Sequence, residues 1–213
     1  THVALGLTYA NPIGGALVGG YTHVRVCSNG WLMLTDGTLA TGLPATGSYG
    51  STSNTNAGFG GGAGSFPLIA PWWGDANIAG VGNAVYVLPG VPGVSPAEIT
   101  WFNTSDFGFT TIKKTVKVKI YDDAAGTIDF EYGTPFAKQG ASARFVGVST
   151  RNGIATVPAQ TLLGVPGANS GASGMCFRTF TTAGVNLDDN TIRFTQNGTG
   201  GWAVANICGA PIS

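Results

Sequence analysis

Charge is what this chain has least of. Of 213 residues, ten are Lys or Arg and ten are Asp or Glu, a charged fraction of 9% with no net charge; soluble proteins average roughly 25%. No basic stripe is present to neutralise phosphates, so nucleic acid is not an expected partner. A surface so poor in charge also resists self-association weakly. Two readings follow: a subunit of an assembly, or a secreted protein kept soluble by hydroxyls and amides.

Histidine is nearly absent as well. His2 sits at the terminus, and His23 lies in an alternating segment with Tyr21 and Arg25. There is no G-x-S-x-G elbow to supply a serine nucleophile, so both histidines are expected to be structural or exposed. No window approaches the 18 or more apolar residues of a membrane-spanning helix. The chain starts at Thr1 with neither an initiator Met nor a signal peptide, which a removed leader or an arbitrary boundary would explain. Cysteine is scarce too, with three residues, and an oxidising compartment would pair two of them. Cys176 and Cys208, beside late strands, are the expected disulfide, which leaves Cys27 buried or free. Without a C-x₂-C element, zinc is not expected.

What is abundant is glycine, at 35 residues, mixed with Thr, Ser and Asn. That mixture opposes helices and suits short strands joined by tight turns. The length allows one full all-β core. Residues 1–213 are therefore read as a single antiparallel β-sandwich, jelly-roll-like, with long Gly/Ser/Thr-rich loops. Residues 41–65 hold almost nothing to bury and read as a long surface loop. Val3, Leu5 and Leu7 alternate as an edge strand. Ser28-Asn29-Gly30 joins the 22–26 and 31–34 runs as a hairpin. Residues 115–121 and 127–133 should pair with Lys119 facing Asp129 and Lys117 facing Glu131. Val118 and Phe130 then share the apolar side.

The densest signal is Phe66-Pro-Leu-Ile-Ala-Pro-Trp-Trp-Gly-Asp-Ala-Asn77. Its two prolines exclude a helix, so it reads as an irregular strand turning at Gly74-Asp75. If the segment is extended, one of Trp72 and Trp73 faces the core and the other faces out. An outward Trp73, or Trp202, would serve as a stacking platform for a glycan or as a subunit contact, and an outward ring at 72–73 could equally be a packing site beneath the 41–65 loop. Asp75 and Asn77 place oxygen ligands on one side of the turn, as a calcium site would. Alternatively, Asp75 pins the loop through backbone amides. The carboxylate pairs Asp122-Asp123 and Asp188-Asp189 read as turn residues, and Asp129 with Glu131 already has lysine partners. No pair is free for glycoside chemistry, so the chain is not read as an enzyme.

The order Ser28-Asn29-Gly30-Trp31, Phe66 to Asp75, Val85-Tyr86, Ile99-Thr100-Trp101 and Lys117 to Tyr121 resembles nidogen-type extracellular domains. It is similar also to the SNG…P-x-W-x-D…W β-sandwich modules of secreted bacterial surface proteins. The resemblance covers about residues 22–150 and leaves the tail from about 155 to 213 outside. It implies a non-enzymatic extracellular module of adhesion, matrix or cell-surface architecture. The low charge adds an expectation of self-assembly, with strand addition through Val3, Leu5 and Leu7 as one route and pairing of that strand within its own sandwich as the other. A carbohydrate-binding module is the alternative function.

Overall fold

A computed structural model describes residues 2–9, 20–37, 67–80, 82–140, 142–149, 161–162, 165–166, 175–180, 185–196 and 202–208. Side chains at 161–162, 165–166, 175–179 and 208 are outside that description, as is the loop expected at 41–65. The described residues contain strands and no helix. In chain order these are β1 (His2–Tyr9), β2 (Tyr21–Cys27), β3 (Trp31–Thr35), β4 (Leu68–Trp73), β5 (Ala76–Asn77), β6 (Ala84–Leu88), β7 (Ala97–Asp106) and β8 (Lys114–Ile120). There follow β9 (Ile128–Tyr132), β10 (Arg144–Ser149), β11 (Thr161–Leu162), β12 (Val165–Pro166), β13 (Met175–Phe180), β14 (Thr191–Gln196) and β15 (Trp202–Cys208).

Two antiparallel sheets make the sandwich. One has the order β1-β2-β3-β4-β10-β13, and the other runs β15-β14-β9-β8-β7, with β5 and β6 both pairing to the far side of β7. β11 and β12 form a separate two-stranded pair. Consecutive strands are mostly nearest neighbours, so the path is largely that of two meanders. Ser28, Asn29 and Gly30 close the β2–β3 hairpin between Cys27 and Trp31 as a three-residue loop. Gly30 has φ 77°, and a Cβ there would lie 2.2 Å from the Trp72 carbonyl oxygen. Only glycine fits that crossing.

The β8–β9 register matches the sequence expectation: Lys117 faces Glu131, Val118 faces Phe130 and Lys119 faces Asp129. β8 alternates strictly between buried and half-buried positions. The ion pairing is different. Lys119 reaches diagonally to Glu131 at 2.5 Å, and Lys117 pairs with Glu98 on β7 at 2.9 Å. Asp129, only 2% exposed, is instead held by Arg193 Nε and Nη2 at 2.7 and 2.6 Å and by the Tyr121 hydroxyl at 3.0 Å. A buried carboxylate needs several donors, and the planar guanidinium supplies two at once. Burial, followed by the Asp129 charge, pushes the Tyr121 hydroxyl up to about 12. Arg193→Ala is therefore expected to cost about 1–3 kcal/mol, the penalty for stripping donors from a buried acceptor. Lys119→Ala should cost about 0.2–1 kcal/mol, as for exposed pairs. Denaturant melts of the two variants that gave the reverse order would contradict this assignment.

In the other sheet, β3, β4 and β10 are buried at every position. They are uncharged apart from Arg144, as strands covered on both faces require. Several side-chain hydrogen bonds cross the sandwich. Trp101 Nε1 donates to the Cys27 carbonyl at 2.9 Å, the Tyr132 hydroxyl to the Pro71 carbonyl at 2.8 Å, and the Tyr9 hydroxyl to the Gly126 carbonyl at 2.9 Å. Gln196 Nε2 also donates to the Tyr9 hydroxyl at 2.8 Å, and Trp72 and Arg144 both donate to Asp106.

The expectation that one of the two adjacent tryptophans faces outward is corrected. Trp72 is 5% exposed and Trp73 0%. The cause is a bulge. Trp73 pairs with Phe145 and Ala70 with Gly147, so Pro71 and Trp72 together oppose Val146 alone. A bulge breaks period-two alternation and re-aims side chains. It also explains how a proline, which donates no ladder hydrogen bond, sits in an interior strand. Trp73 packs on Trp31 and Phe145, while Trp72 packs on Phe136 and Phe180.

Candidate functional site

Asp106 ends β7 beneath Trp72 and is 1% exposed. Its Oδ1 accepts from Trp72 Nε1 at 3.1 Å and from Arg144 Nε at 3.0 Å. Its Oδ2 accepts from Lys114 Nζ and from the Gln139 backbone N–H at 2.8 Å. Lys114 also lies 5.8 Å from the Trp72 ring centroid, over its face, a favourable place for a cation. Arg144 Nη2 continues to the Asp75 carbonyl at 2.7 Å. Burial pushes the Asp106 carboxyl up, but Arg144 and Lys114 outweigh it and hold it below the ordinary carboxylate range. Burial pulls Lys114 down despite that carboxylate. Both oxygens of Asp106 are saturated and sealed from solvent. The cluster therefore clamps β4, β7, β8 and β10 together and offers no free group for acid–base work.

The sequence reading did not single out Asp106, Lys114 or Arg144. A signal for one of them was present. Lys114 falls in phase with Val116, Val118 and Ile120, which turn inward, so the same alternation points Lys114 into the core. Asp75, singled out instead, is half-buried and enters the network through its backbone carbonyl, which also accepts from the Phe107 N–H at 2.9 Å. Asn77 Oδ1 accepts from the Ala79 N–H at 2.9 Å, a local Asx turn. No group of three or more His, Cys, Asp or Glu residues suited to a metal occurs among the described residues. The turn carboxylates are engaged with amides: Asp122 with Gly93 N–H, Asp123 with Thr127 N–H and Asp188 with Phe136 N–H.

The proposed aromatic platforms are corrected too. Trp73 is fully buried and Trp202 is 2% exposed. Trp202 packs edge-on against Phe194 and lines a small apolar cavity with Tyr9, Leu34 and Leu68. Neither ring has a face for a sugar. Leu5 and Leu7 are buried, and Val3 packs against the same core. β1 pairs with β2, and the Leu5 carbonyl accepts from the Gly90 N–H at 2.7 Å. This strand completes its own sandwich. Cys27 is half-buried and free, with its thiol pushed up by burial. The side chains of Cys176 and Cys208 lie outside the described residues.

What is exposed and apolar gathers elsewhere. Tyr86 and Leu88 on β6 are 55% and 61% exposed. Val91 and Val94 follow in the next turn, and Phe102 on β7 stacks edge-on near Tyr86, with ring centroids 6.1 Å apart. Phe107 and Phe109, just beyond β7, are exposed as well. Single exposed apolar residues are ordinary, but a contiguous group marks a contact surface.

The NIDO-related family model matches residues 17–196 of this chain. The chain belongs to the nidogen-related family. No curated protein and no solved structure matches it.

The nidogen-related match runs well past residue 150, where the motif resemblance ended, and takes in β13 and β14. Only β1 and β15 among the strands fall outside it, one at the edge of each sheet. Membership in the nidogen-related family points to an extracellular protein of structural or adhesive type. Among the described residues, no helix is long and apolar enough to cross a membrane.

Proposed function

We propose that this nidogen-related chain is a secreted, non-enzymatic structural subunit that associates with copies of itself at a cell surface or in an extracellular matrix. The observation that carries the reading is the exposed apolar group of Tyr86, Leu88, Val91, Val94 and Phe102 on a protein with 9% charged residues and no net charge. Copies of such a surface meet without long-range repulsion and remove apolar area from water when they touch. A Cys176–Cys208 disulfide belongs to the same extracellular reading. Calcium at Asp75 and Asn77 would belong to it only if Asn77 gave up its bond to Ala79. The glycan-binding alternative has lost the two rings it rested on.

Sedimentation velocity at physiological salt tests the reading. The weight-average sedimentation coefficient is expected to rise steadily with protein concentration. A single monomeric species over the whole accessible range would overturn self-association.

A further inference from the structure

The seven-stranded sheet has two edges, and they fit each other. Its long path runs β15-β14-β9-β8-β7-β6, with every neighbouring pair antiparallel. Six alternating strands leave β6 and β15 running in opposite directions. A second copy moved along the sheet without being turned over therefore brings its β15 antiparallel to the first copy's β6. Its solvent face stays on the same side.

The side chains agree with that placement. One solvent-face row crosses the sheet through Leu88, Glu98, Lys119, Asp129, Arg193 and Ala205. Continued into the next copy, the row sets Leu88 beside the partner's Ala205, a large side chain over a small exposed one. Tyr86 then lies toward the partner's Ile207, itself 48% exposed.

Neither β6 (AVYVL) nor β15 (WAVANIC) contains a charge or a proline. These are the usual devices that blunt an edge strand. The nearest charges on the row, Glu98 and Arg193, are already paired with Lys117 and Asp129, so no like charges meet at the joint. Among the described residues, no strand pairs with the outer side of either one, though β11 lies beside β15 without pairing to it.

We propose that copies of this chain join head to tail by antiparallel pairing of β6 with β15 of the next copy. This rests on the self-associating reading above and names its joint. The contact differs from strand addition by β1, whose Leu5 and Leu7 are buried in its own sandwich. A heterologous joint of this kind, repeated by translation along the sheet, generates an open fibre. One short strand edge and a few side chains are a small contact beside the roughly 800 Å² per partner of a standard interface. Growth is therefore concentration-dependent and reversible.

The test uses Leu88→Lys and Ala205→Lys, both on the exposed face, with Tyr86→Lys as a second β6 variant. Melting temperatures and circular dichroism spectra should match those of the unaltered protein. Each variant alone should sediment as a monomer at concentrations where the unaltered protein grows. An equimolar mixture of Leu88→Lys and Ala205→Lys keeps one intact edge of each kind, so it should give a discrete dimer and stop there. Variants that grow like the unaltered protein would overturn this joint while leaving self-association standing. A mixture that stays monomeric, or an unaltered protein that stops at a dimer, would overturn the head-to-tail pairing. An unaltered protein that never associates would remove the broader reading as well.

Discussion

Asp106→Ala should lower the unfolding free energy by about 3–5 kcal/mol, the usual cost of leaving buried charges without their partner. The substitution removes the acceptor for Lys114, Arg144, Trp72 Nε1 and the Gln139 amide at one stroke. Lys114 can shed its proton, but Arg144 cannot, so one cation stays stranded in the core. At roughly 2–4 °C per kcal/mol for a domain of this size, the melting temperature should fall by about 6–20 °C. Asp106→Asn keeps the shape and one acceptor and should fall between. The same carboxylate sets an acid limit. Its folded pKa is lowered, so its contribution is fully present above about pH 4, the ordinary aspartate value. It is lost as pH falls through the lower folded value. An Asp106→Ala protein with unchanged melting temperature and unchanged acid midpoint would show that the clamp carries no stability.

Trp101→Ala should be comparably severe, at about 3–5 kcal/mol, because a fully buried indole leaves a large cavity between the sheets. Trp101 is 1% exposed and its Nε1 is the donor to the Cys27 carbonyl across the sandwich. Trp101→Phe separates the two contributions. It keeps most of the apolar volume but deprives the carbonyl of its donor, for about 1–3 kcal/mol. Equilibrium urea unfolding of both variants measures the difference. If the phenylalanine variant loses as much as the alanine variant, the hydrogen bond and not the packing dominates this contact.

Much of the fold was legible because period-two alternation is a local property. The β8–β9 register could be read from Val116, Val118, Phe130 and Tyr132 alone, and the Ser28-Asn29-Gly30 turn from its residue types. What could not be read depended on contacts distant in sequence. The Pro71-Trp72 bulge exists only against β10, so the alternation that served β8 failed for Trp72 and Trp73. Lys119 was placed opposite Asp129 correctly, yet Arg193 on β14 takes that carboxylate and turns Lys119 to Glu131. The Asp106 clamp joins residues from four strands and leaves little trace in any one of them, apart from the inward phase of Lys114. Val3, Leu5 and Leu7 show the limit of reading an edge strand from sequence. Their pattern was right, but only the packing revealed that Leu5 and Leu7 of β1 are buried at home while Tyr86 and Leu88 of β6 are exposed.

The surface reading depends on the same distinction. Burial removes Trp73 and Trp202 as exposed stacking platforms and transfers attention to Tyr86, Leu88 and Phe102. These residues lie within the span of the nidogen-related match, whereas the β15 edge lies just beyond it. An association that uses both edges would thus combine a surface within the family domain with a strand added next to it.

Negative-stain electron microscopy of the native material at physiological salt tests the central claim most directly. Extended filaments, tubes or sheets built from one repeating subunit are the predicted result. Fields of discrete single particles at every concentration would contradict it.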